Sequence, residues 1–121
     1  MKYQVSENVK SKFDALVKDE KVLKAVEFVK DDNDAIIDKQ IELTLIPAPT
    51  FHEQDKAARL LEMFKEEGLE DCHIDEYGNC VGIRKGTGGG KTTLVEGHLD
   101  TVFPLGTKLE IKKEDGFIKC P

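Results

Sequence analysis

A chain of 121 residues is sized for one domain with its own core. Charged residues make up 35% of it, well above the roughly one-quarter of an ordinary globular protein, and this implies amphipathic helices with solvated outer faces. The formal net charge of −6 argues against a nucleic-acid partner: the basic residues are interleaved with acids, as in Lys18-Asp19-Glu20-Lys21, and form no patch for phosphates.

No run approaches the eighteen or so apolar residues of a membrane span, and the polar N-terminus carries no visible secretory signal, so neither membrane nor export is expected. The three cysteines, Cys72, Cys80 and Cys120, are odd in number and lack zinc-finger spacing. They read as reduced thiols of a cytoplasmic protein. Cys72 and His73 are adjacent, but neighbouring strand residues point to opposite faces, so they make a poor metal pair.

Residues 1–46 are predicted to be helical. Phe13, Leu16 and Val17 sit at helical spacing, as do Leu23, Val26 and Val29. The cluster Asp31-Asp32-Asn33-Asp34 predicts the start of a third helix, in which Ile37, Ile41 and Leu45 repeat every four residues. Pro47-Ala48-Pro49 should stop it, because proline lacks the amide donor and restricts the residue before it. Thr50-Phe51-His52-Glu53 then reads as a capping box opening a helix that runs to Gly68, with Ala57, Leu61 and Phe64 on one face. His52 falls in the first turn of that helix and is a ligand candidate without a partner at a known spacing.

From residue 72 the period shifts towards strands. Residues 72–75 and 80–84 flank Glu76-Tyr77-Gly78-Asn79, a hairpin connection. Residues 92–96 read as a short apolar strand of the kind buried inside a sheet. Residues 108–113 and 117–120 flank Glu114-Asp115-Gly116, whose Asp-Gly pair signals a tight turn. The fold class expected is α/β: a helical N-terminus followed by a partial twisted sheet with packed helices. The chain is taken as one domain, residues 1–121, with helices over 1–46 and helix plus sheet over 47–121.

Two segments could carry chemistry. Gly86-Thr87-Gly88-Gly89-Gly90-Lys91-Thr92 looks like a phosphate-cradling P-loop, but the required first glycine falls on Lys85. A P-loop must also open a helix, whereas Thr92-Thr93-Leu94-Val95 is β-branched and apolar. A glycine-rich hairpin tip accounts for the segment, and nucleotide binding stands as an alternative function. The second segment is Gly97-His98-Leu99-Asp100, directly after the expected strand, where open α/β sheets place their ligands. Neutral imidazole is a good zinc ligand, and a carboxylate two residues on lies on the same side of an extended backbone, where it can orient the histidine. His-x-Asp alone is a weak pattern, for which a core histidine satisfied by its neighbour is the plainer reading.

The wider string from Leu94 to Pro104, Leu-Val-Glu-Gly-His-Leu-Asp-Thr-Val-Phe-Pro, closely resembles the first metal signature of the zinc-dependent exopeptidases and amidohydrolases. That family includes aminoacylases, carboxypeptidase G, peptidase T, acetylornithine deacetylase and succinyl-diaminopimelate desuccinylase. The resemblance takes in Ile46-Pro47-Ala48-Pro49-Thr50, the helix ending at Gly68, Asp75-Glu76-Tyr77-Gly78-Asn79-Cys80-Val81 and Asp115-Gly116-Phe117-Ile118, so it covers about residues 40 to 121. It implies a hydrolase of peptide or N-acyl-amino-acid bonds, dependent on two zinc ions or on cobalt or manganese and acting on a small substrate; homo-oligomers are expected separately, because apolar strand residues such as Leu94 and Val95 would be left uncovered. It assigns His98 as a metal ligand and Asp100 as the catalytic aspartate that positions it. The bridging aspartate, the general-base glutamate and the remaining ligands would lie beyond Pro121. This chain alone is therefore expected to bind zinc weakly and to lack activity. A non-catalytic α/β interaction fragment is the remaining alternative.

Overall fold

The computed structural model describes residues 4–120. Among them are four helices, α1 (Glu7–Leu16), α2 (Glu20–Asp31), α3 (Asn33–Leu45) and α4 (Gln54–Glu66), and four strands, β1 (Glu70–Ile74), β2 (Cys80–Ile83), β3 (Lys112–Glu114) and β4 (Phe117–Lys119). The chain is α/β as expected. It divides into two compact units, one ending at Lys39 and the other beginning at Gln40.

In the first unit, the starts of α1 and α2 are each set by a side-chain acceptor. Ser6 accepts from the Val9 amide at 3.4 Å, and Asp19 accepts from Lys21 and Val22 at 2.8 and 3.2 Å. These bonds satisfy amides that a helix leaves unpaired at its beginning. Most apolar positions of both helices, Phe13, Leu16, Leu23 and Val26 among them, are exposed, and Val22 is half-buried.

In the second unit, α4 packs on β1 and β2. Its amphipathic pattern puts Ala57 and Met63 in the core, joined by Ala48 from the preceding loop. The helix ends as its sequence predicts. Gly68 has φ 70, its amide donates to the Lys65 carbonyl at 3.0 Å, and the Leu69 amide reaches back to the Phe64 carbonyl at 2.9 Å. This is a Schellman stop, in which glycine takes the left-handed conformation without a side-chain clash. Phe64 and Leu69 then converge over Gly82 of β2, where an added Cβ would lie 2.8 Å from a δ carbon of each. Arg84 adds a 2.6 Å bond from its guanidinium to the Glu67 carbonyl at the helix end.

Strands β1 and β2 pair antiparallel, with Ile74 opposite Cys80, His73 opposite Val81 and Glu70 opposite Ile83. The register shifts between Glu70 and His73, and Asp71, at φ 50, turns the chain there. The loop closes on Asp75, whose carboxylate accepts from the Tyr77 and Asn79 amides and from the Asn79 side chain at 2.8–2.9 Å. β3 and β4 form a second antiparallel pair around Asp115 and Gly116, at φ 52 and 78, the doubly positive turn that an Asp-Gly pair favours.

The expected interior strand at residues 92–96 does not form. Leu94 and Val95 are 81% and 88% exposed, and among the described residues no strand pairs with this segment. β-Branched residues favour extended backbone, but a strand exists only where a neighbour completes the ladder. The described strands are committed to two separate two-stranded pairs, so the single partial sheet expected is replaced by two hairpins.

Candidate functional site

The residues with chemistry converge where two loops meet the start of α4. The Thr101 amide donates to the Ala48 carbonyl at 2.6 Å, and Pro49 and Thr101 form an isolated parallel bridge. This stitch sets the prolines after α3 beside the His98–Asp100 segment. Ala48 is fully buried at the junction.

Asp100 is the hub. Its Oδ2 accepts from the Thr50 hydroxyl at 2.8 Å, and its Oδ1 lies 2.9 Å from His98 Nδ1, which is also 2.9 Å from the Asp100 backbone carbonyl. Both neighbours of Nδ1 are acceptors, so the hydrogen-bond pattern assigns the imidazole proton to Nδ1 and leaves the Nε2 lone pair unshared. The His98 side chain is 84% exposed, so Nε2 is open to solvent. The Thr50 hydroxyl first, and His98 second, hold the Asp100 carboxyl below the usual carboxylate range.

Lys56, in the first turn of α4, is buried to 6% exposure and feels the charge of Asp100. Burial lowers the pKa of its ammonium, and the attraction of Asp100 works the other way. A lysine here is also opposed by the helix dipole, whose positive end lies at this turn.

The capping box expected at Thr50 and Glu53 is not made. Glu53 is the N-cap of α4 by backbone position, and no side chain caps the helix. The Glu53 carboxylate accepts from the Phe51 amide at 2.9 Å, while Thr50 turns away to Asp100. The cause is the turn between them: the His52 amide bonds the Pro49 carbonyl at 2.8 Å, and Phe51 takes φ 70. A positive φ at the third position of a four-residue turn is the type II geometry, here carried by a phenylalanine instead of glycine. His52 accordingly lies before α4, exposed, and not in its first turn.

The other sequence candidates stand apart from this cluster. Cys72 is half-buried and its thiol reaches the Leu69 carbonyl at 3.2 Å, while His73 Nδ1 lies 2.7 Å from the Asp71 carbonyl. The glycine-rich loop is exposed, and neither helix nor strand follows it over residues 91–100. A P-loop needs the amides of a helix start behind its glycines, so the nucleotide-binding alternative is withdrawn.

Thr50 and Lys56 are the members that the sequence does not assign to the site. A donor residue just after the Pro-Ala-Pro stop is visible there, but its partner lies fifty positions away. No group of three or more His, Cys, Asp or Glu side chains among the described residues is placed to hold a metal ion. In this cluster the exposed donor open to a metal is the Nε2 of His98, while each oxygen of Asp100 already accepts one hydrogen bond. Among the described residues, no helix is long and apolar enough to cross a membrane.

No protein-family model matches the sequence. The chain is 34% identical over 77 residues to a provisionally named LysW-lysine/LysW-ornithine hydrolase of Thermococcus kodakarensis, a match covering 64% of this chain and 21% of that protein. A protein of the same name from Pyrococcus abyssi is 38% identical over 61 residues, or 50% of this chain and 17% of its own length. The chain thus spans about a fifth of the curated relatives it matches, and over that stretch it is similar to two proteins named as hydrolases.

Proposed function

We propose that this chain forms part of a metal-dependent hydrolase of peptide or N-acyl-amino-acid bonds, contributing one zinc ligand through His98 and its orientation through Asp100. The observation that carries the reading is the relay from Thr50 through Asp100 to His98, which leaves a single exposed imidazole nitrogen with a free lone pair. A carboxylate on the far nitrogen of a metal-ligating histidine fixes its tautomer and raises its basicity. Asp100 is therefore read as a positioning residue: one oxygen meets Nδ1 of His98 and the other is held by Thr50. The chemistry that zinc supplies when bound is Lewis acidity towards a carbonyl oxygen. The names of the two relatives favour substrates in which lysine or ornithine is the released group.

One imidazole falls short of the three or four protein ligands of a zinc site, so the remaining ligands must come from polypeptide other than the described residues. A chimera tests this: the segment of the Thermococcus protein that matches this chain is replaced by the corresponding residues of this chain. The folded chimera should hydrolyse LysW-lysine in a metal-dependent way, and His98→Ala should remove most of its metal and activity. A chimera with parental circular dichroism whose activity and metal content are unchanged by His98→Ala would refute the proposal.

A further inference from the structure

We propose that Thr50 is a positioning residue that biases the tautomer of His98, its hydroxyl holding the Asp100 carboxylate so that an oxygen faces Nδ1 beside the Asp100 carbonyl and Nε2 is left outward as the basic nitrogen. The inference rests on the proposed function only in reading that outward nitrogen as the one that meets a ligand. A carboxylate rotates about its last torsion in a broad well, so alone it does not keep an oxygen aligned with a neighbour. The Thr50 hydroxyl has one proton to donate, and it gives it to Oδ2 at 2.8 Å. With Oδ2 held, Oδ1 is left at 2.9 Å from His98 Nδ1.

The hold is effective because both of its ends are anchored. Thr50 and Asp100 each stand one residue from the Pro49–Thr101 bridge. Thr101 bonds the Ala48 carbonyl through both its amide, at 2.6 Å, and its hydroxyl, at 3.3 Å. Pro49 locks its own φ, and the β-branched Thr50 side chain has few rotamers available. The strained Phe51 then carries the chain from Thr50 into α4 at φ 70, an arrangement that directs the hydroxyl to Asp100 instead of the helix amides. A bulky residue in that region persists only where its surroundings over-determine it.

The test reads the tautomer directly, without metal or substrate. Long-range proton–nitrogen NMR spectra of the full chain, at a pH where imidazole is neutral, distinguish Nδ1–H from Nε2–H for each histidine. His52 and His73 serve as internal references. In the native chain and in Thr50→Ser, which keeps the hydroxyl, His98 should be mainly Nδ1–H. In Thr50→Val, close in shape but without the donor, the Nδ1–H share should fall measurably, the Asp100 carbonyl 2.9 Å from Nδ1 retaining part of it, while His52 and His73 are unchanged. An unchanged His98 tautomer in Thr50→Val overturns the proposal, and so does a Thr50→Ser variant that behaves like the valine. If the valine variant does not fold, Thr50→Ala read against Thr50→Ser decides by the same criteria. Failure here would leave the chimera result standing, and a chimera indifferent to His98 would leave the tautomer result standing.

Discussion

Replacing Gly82 with alanine should destabilise the second unit, because this glycine is the floor on which α4 meets the β1–β2 hairpin. A Cβ built there lies 2.8 Å from a δ carbon of Phe64, 2.8 Å from a δ carbon of Leu69 and 3.3 Å from the Leu69 Cβ. Carbon pairs pack best at about 3.5–4.0 Å, so the two closest contacts sit well inside the repulsive wall. A leucine terminus can swing aside, but Leu69 is tied by its amide to the Phe64 carbonyl and its own Cβ is also too close. Overpacking a fitted site costs about 1–3 kcal/mol. Against that, alanine restores about 0.5–1 kcal/mol of backbone entropy that glycine forfeits in a strand. The midpoints of these ranges give an expected net loss of about 1 kcal/mol, read as a lower urea midpoint at unchanged slope. Gly86→Ala is the control, because nothing lies within 4 Å of its Cβ and its backbone is not left-handed. It should leave the midpoint unchanged or slightly raised. A Gly82→Ala variant as stable as the Gly86→Ala control would refute this account of the packing.

Phe51→Gly should stabilise the chain by about 1 kcal/mol, since its side chain is 85% exposed while its backbone stands at φ 70, where glycine carries no strain; a fall in the thermal midpoint would show that the ring makes contacts of consequence. Lys56→Met should change how stability depends on pH. The folded-state pKa of Lys56 is lowered, so in alkaline solution the unfolded chain binds more protons than the folded one. Native stability should therefore rise from the lowered folded pKa up to the ordinary lysine value of 10.5. The methionine variant should lose that rise and be the more stable protein at neutral pH, because desolvation is the larger of the two influences on Lys56. Urea midpoints measured from pH 7 to 10 for both proteins check it, and parallel curves would rule it out.

Elements that depend on neighbours along the chain are legible in the sequence alone. The Pro47 stop, the Gly68 cap, the Asp75–Asn79 loop and the Asp115–Gly116 turn each follow from local backbone chemistry, and each is found where its residues stand. The segment at residues 92–96 shows where that reasoning gives out. Its apolar, β-branched composition describes what a buried strand is made of, but a ladder needs a partner from elsewhere, and composition does not supply one. Lys56 is hidden for the same kind of reason: in a charged amphipathic helix a lysine reads as a solvated residue, and only the fold buries this one within reach of the charge of Asp100.

The candidate site divides along the same line, even within a single carboxylate. One oxygen of Asp100 is engaged by a residue two positions away, a pairing that extended-chain geometry anticipates. The other is engaged by Thr50, fifty positions away, and here local logic points to a different partner, the amides of the helix that follows. A Thr-x-x-Glu spacing satisfies the rule for a capping box, yet the rule assumes that the threonine leads straight into the helix. The strained turn at Phe51 breaks that assumption. Where a polar residue declines an available local bond and a strained backbone accompanies the choice, the distant bond has displaced the local one. By that reasoning Thr50 belongs with His98 and Asp100, and not with α4.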